Sequence, residues 1–99
     1  MSLDIAVLIS TLSSGLTAPV FREILLNRSA ILKDIRDALN KNHANVSADE
    51  IEQAIKSLEN TDLIKERASS IPDFNTYYVT ADGLEAERVM KKLNIAAAS

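Results

Sequence analysis

The sequence predicts a mainly α-helical domain carrying one small β-hairpin. Apolar residues recur at helical spacing in five separate segments, the pattern of helices that bury one stripe and wet the other. One of these segments opens on Ser47-Ala48-Asp49-Glu50, where a hydroxyl and the carboxylate three residues on satisfy each other's free amides as a capping box. Two short runs rich in β-favouring residues, 63–67 and 77–80, flank a polar loop around Pro72, which is the signature of a hairpin.

In chain order, Ser2 is placed to cap a helix running to about Leu12, with Leu3, Val7, Leu8 and Leu12 among its apolar positions and Asp4 at its positive end. Ser13-Ser14-Gly15 stops it. Thr17 followed by Pro19 signals a second start, since Pro is tolerated in a first helical turn, and Val20, Phe21, Ile24 and Leu25 form its apolar face. Ser29 is a third candidate cap, before a stripe of Ile31, Leu32, Ile35, Ala38 and Leu39. Residues 40–45, which include His43, read as a polar turn. The helix opened by the capping box buries Ile51, Ala54, Ile55 and Leu58, with Val46 in the place of a hydrophobic staple. Asp62 is placed in a left-handed turn ahead of the first strand. After the hairpin, Thr80 caps a last helix over 81–95 with Leu84, Ala86, Val89, Met90 and Leu93 on its apolar side, and 96–99 reads as a frayed tail.

Ninety-nine residues accommodate one domain, 1–99. Within it the reading divides the chain into an N-terminal helix (1–13), a helical core (17–61), a hairpin (63–80) and a C-terminal helix (81–95). No Cys is present, which excludes disulfides, thiolate metal sites and a Cys nucleophile. His43 is the only His, and Gly15 and Gly83 are the only Gly, so neither a His-based metal site or triad nor a Gly-rich phosphate loop is expected. Paired acids such as Asp34 and Asp37 fall on a wet helical face. No enzyme activity and no cofactor are expected. The longest apolar run, 5–9, is far below the roughly 20 residues a membrane span requires, and Met1-Ser2-Leu3-Asp4 lacks the basic start of a signal peptide. A cytoplasmic location and no membrane partner are the expectations.

Ile51-Glu52-Gln53-Ala54-Ile55-Lys56-Ser57-Leu58-Glu59-Asn60-Thr61-Asp62-Leu63-Ile64-Lys65-Glu66-Arg67 resembles the helix-to-wing segment of winged-helix regulators of the MarR-like and PadR-like types. Tyr78-Val79-Thr80-Ala81-Asp82-Gly83-Leu84 is similar to the strand-Thr-x-x-Gly turn by which those families leave the wing. The resemblance implies a winged helix-turn-helix with extra N- and C-terminal helices, which in those families pair two subunits. Because Ile5, Val7, Leu8, Ile9 and Leu12 cover more than one stripe, a homodimer is expected, the alternative being that the N-terminal helix covers the monomer core. It also implies double-stranded DNA as partner, read by the helix that starts at Ser47. On this sequence the positions matching that surface include Ser47, Glu52, Gln53 and Lys56 on that helix, with Arg67 near the wing. Lys33 and Arg36, basic residues sharing a face at i, i+3 spacing on the preceding helix, are the further candidates for phosphates. The implied dimer residues are Leu3, Val7, Leu8, Leu12, Val89, Met90 and Leu93.

Charge keeps a second reading open. Residues 47–60 hold four carboxylates against one Lys, a balance of −3 that equals the net charge of the whole chain. The hairpin loop 68–76 has no Lys or Arg. Because duplex DNA carries about one negative charge per 1.7 Å, clustered carboxylates at its groove oppose binding. The alternative function is therefore a protein-interaction module whose acidic helix meets a basic partner, with Ile71 and Phe74 as apolar contacts. For Phe74, folding back onto the core is the preferred expectation.

Overall fold

A computed structural model describes residues 4–42 and 46–93. Expectations that fall on Ser2, Leu3, His43 and the residues after Leu93 lie outside them. The first helix, α1 (Ile5–Leu12), is capped by Asp4, whose Oδ1 accepts the backbone N–H groups of Ala6 and Val7 at 3.0 and 3.3 Å. Two oriented amides and the positive helix end make a carboxylate well suited to this position. Helix α2 (Thr17–Asn27) follows after a turn, and Arg28 closes it in the left-handed conformation, φ 66°.

That reversal at Arg28 overturns one expectation. Ser29 does not cap a helix and Ile31 is not on a helical stripe: both belong to a strand, β1 (Ser29–Ile31). The reason is tertiary. Val79 N–H donates to the Arg28 carbonyl and Leu32 N–H to the Asn75 carbonyl, each at 2.9 Å, so three residues cover an edge that would otherwise stand unpaired. Helix α3 (Leu32–Asn42) then begins, and it runs three residues into the segment read as a turn.

The capping box forms as expected at the head of α4 (Ala48–Asn60). Glu50 N–H donates to Ser47 Oγ at 3.1 Å, and Ser47 N–H donates to Glu50 Oε1 at 3.2 Å. Asp62 takes the left-handed turn, φ 60°. Strands β2 (Ile64–Arg67) and β3 (Thr76–Val79) make the hairpin, with a single 3-10 turn at Pro72–Phe74 in its loop. The sheet is antiparallel in the order β1-β3-β2, three strands where the sequence predicted two. Five helices and this small sheet among the described residues are compatible with a winged-helix arrangement.

Helix α5 (Ala81–Leu93) is tied to the turn before β2 through one hydroxyl. Thr80 Oγ1 accepts the Gly83 N–H at 3.0 Å and donates to the Asp62 carbonyl, while Thr80 N–H donates to the Leu63 carbonyl at 3.1 Å. The approach is so close that a Cβ on Gly83 would collide with the Leu63 carbonyl oxygen and Val79 Cγ2. Glycine is required here by space, not by backbone conformation.

One apolar cluster fills the interior, with Val20, Phe21 and Ile24 of α2, Ile35 of α3, Leu58 of α4 and Met90 of α5 fully enclosed. It also claims several residues expected at a dimer contact. Leu8, Leu12 and Met90 are 2%, 5% and 0% exposed, and Val89 packs against the same cluster. Their spacing gave a correct apolar stripe, but that stripe faces the chain's own core. Of the expected set Val7 stands outward, 48% exposed, beside Ile5 and Ile9. The Leu93 side chain lies outside the description. No single helix among the described residues is long and apolar enough to cross a membrane, and α1 and α2 meet at 103°.

Candidate nucleic-acid interface

The exposed side of α4 faces two neighbours. Glu52 and Lys56 line a groove of about 330 Å³ between α3, α4 and the hairpin. Glu50 and Gln53 instead line a smaller depression of about 90 Å³ beside the turn between α1 and α2. Gln53 and Glu52, adjacent in sequence, thus lie on opposite flanks of the helix. Ser47 and Glu50 are exposed, with their polar atoms engaged in the capping box.

The expected phosphate contacts divide into paired and unpaired. Lys33 Nζ sits 3.0 Å from Asp37 Oδ2, and Arg36 reaches Asp73 Oδ1 of the hairpin at 3.1 Å. On α4, Lys56 sits 3.4 Å from Glu52. Asp37, through its hydrogen bond first and its charge second, raises the Lys33 ammonium above its ordinary value. The Lys33 and Lys56 pairs are solvent-exposed and the Arg36 pair partly so, and such pairs are weak enough in water for a phosphate to compete with the carboxylate. They lower the net attraction without abolishing it. Arg67, by contrast, has no ion pair among the described residues.

Sheet register adds residues that the sequence did not single out. Lys65 pairs with Tyr78 and Arg67 with Thr76, and successive side chains of a strand alternate between faces. Lys65, Arg67 and Tyr78 therefore share the outer face of the hairpin, all exposed, with Tyr78 at 39%. Glu66 and Tyr77 lie on the inner face, where the Tyr77 hydroxyl donates to Glu66 Oε2 at 2.8 Å. The alternation was visible in Lys65-Glu66-Arg67, but its pairing with Tyr78 depends on a long loop whose register the sequence does not specify.

Phe74 is 48% exposed and Ile71 52%, so the hairpin end does not fold into the core. The Pro72–Phe74 turn rests on α3, and Asn75 Oδ1 accepts the Ser69 N–H at 2.7 Å, holding the loop in shape.

The inner wall of the groove carries Glu59 and Glu66. Burial first, and the Glu66 charge second, raise the Glu59 carboxyl above its ordinary value. A raised carboxylate destabilises the fold once ionised: the penalty is absent at low pH and develops as pH rises through the folded-state value. Glu59→Gln is accordingly expected to raise the thermal midpoint at pH 7, with the gain vanishing below about pH 4, near the ordinary Glu value. Thermal scans of both proteins at the two pH values test this, and an equal gain at both would exclude ionisation as the cause. Burial, then the hydrogen bond to Glu66, raise the Tyr77 hydroxyl too, so it remains a donor at neutral pH.

Comparison with protein-family models, with curated proteins and with solved structures finds no match.

Proposed function

We propose that the chain is a winged-helix DNA-binding protein of the transcription-regulator kind, acting as a homodimer and without catalytic activity. The observation that carries this reading is the order α2-β1-α3-α4-β2-β3 with the sheet arranged β1-β3-β2, which sets α4 and the hairpin on two sides of one groove. In this reading α4 lies in the major groove, where Gln53 can pair with adenine and Glu52 can accept from the cytosine amino group. Lys65 and Arg67 hold the backbone from the hairpin, while Lys33 and Arg36 exchange their carboxylates for phosphates. The outward Ile5, Val7 and Ile9 of α1 support pairing of two chains.

A low-salt titration of mixed duplex fragments tests the proposal. Binding that weakens steeply with salt supports it. Glu52→Lys removes a carboxylate and releases Lys56, so it is expected to tighten binding to mixed fragments about 10-fold, the effect of about 1.4 kcal/mol, while abolishing any cytosine preference that Glu52 confers. Unchanged affinity would remove α4 from the interface. Light scattering is expected to give twice the 10.8 kDa chain mass.

Exposed Ile71 and Phe74 at the hairpin end, together with the acidic charge of α4, favour a second reading, a protein-docking module for a basic partner. Absence of duplex binding at tens of micromolar protein selects it.

A further inference from the structure

The groove between α3, α4 and the hairpin has features that neither reading uses. Its floor is apolar, built from Ile51, Ile55 and Tyr77, and its volume of about 330 Å³ falls within the range of small-molecule pockets, roughly 300–1,000 Å³. Its charge is one-sided. The two cations at its edge are engaged by carboxylates, Arg36 by Asp73 and Lys56 by Glu52. One turn beyond Lys56 on α4, whose charge reaches it, the Glu59 carboxylate has no hydrogen bond or ion pair among the described residues, and the Glu66 carboxylate receives only the neutral Tyr77 hydroxyl. Nowhere among the described residues do acidic side chains converge as a metal-binding group.

We propose that this groove binds a small organic cation, an amidinium or protonated amine on a flat apolar body, with the charge between Glu59 and Glu66 and the body over Ile51 and Ile55. Two carboxylates outside any ion pair supply the counter-charge, only part of which Lys56 offsets at Glu59, and the half-buried setting of Glu59 strengthens it relative to water. The apolar floor accounts for the body, since a simple hydrated ion gains nothing from it. The site stands on its own lining and does not depend on whether the chain binds DNA.

The test uses the full chain labelled with ¹⁵N, without DNA, and follows amide shifts during titration with benzamidinium, neutral benzamide and benzoate. Benzamidinium is expected to shift the amides of Ile55, Glu59, Glu66 and Tyr77 saturably, with half-saturation on the order of 1 mM. Benzamide should bind at least about 5-fold more weakly, a difference of about 1 kcal/mol. Glu59→Gln, and separately Glu66→Gln, should each weaken benzamidinium by at least about 3-fold while leaving benzamide unchanged. Equal binding of benzamide, stronger binding of benzoate, or shifts that are centred elsewhere or never saturate would overturn the proposal. Because the three probes are compared on the unaltered chain, the conclusion holds even where a variant fails to fold.

Discussion

Phe21→Ala is expected to lower the unfolding free energy by about 4 kcal/mol, the usual range for Phe to Ala in a core being about 3–5. Phe21 is 0% exposed on α2, between Val20 and Ile24, which are equally enclosed. Helix α2 packs on α3, α4 and two strands, so its central side chain faces walls contributed by several elements. Those walls cannot all move inward together, and a cavity remains. A chain of this length has about 5–15 kcal/mol of stability in total, so the variant is expected to retain between about a fifth and three quarters of the original urea midpoint. A loss under about 1.5 kcal/mol would mean that the site collapses freely and that the close packing described around α2 is wrong.

Gly83→Ala is expected to cost about 3 kcal/mol, although Ala favours a helix interior by about 1 kcal/mol over Gly. The added methyl meets the Leu63 carbonyl oxygen, a backbone atom, and Val79 Cγ2. A flexible side chain could turn aside, whereas this carbonyl is fixed by the Thr80 N–H that it accepts. Relief therefore requires α5 to lift from the α4–β2 turn, which loosens the Thr80 hydrogen bonds to Asp62 and Gly83 as well. Urea unfolding with an unchanged slope and a lower midpoint is the expected signature. A midpoint equal to the original would contradict the close approach.

The sequence was most legible where one local rule decided the outcome. The Ser47 and Glu50 capping box, the left-handed Asp62 and the Thr80 cap each depend on atoms a few residues apart, and each is present in the structure. Strand β1 was not legible, because three residues carry too little alternation and its partner lies 45 or more residues away at Thr76–Val79. Helix α1 showed apolar residues on more than one stripe, and only its packing decides that Leu8 and Leu12 turn inward while Ile5, Val7 and Ile9 turn outward. The expectation for Phe74 failed for a related reason: a lone aromatic in a loop has no periodicity to reveal its direction. At the candidate interface the cations of α3 were read correctly as cations, but Asp73, 37 residues beyond Arg36, could be recognised as its counter-ion only in three dimensions.

The shared hydroxyl of Thr80 also has a mechanical consequence. One oxygen joins the first turn of α5 to the base of the hairpin, so it works as a fulcrum between the last helix and the strands. A displacement of α5 relative to the hairpin would have to strain both hydrogen bonds of that oxygen at once.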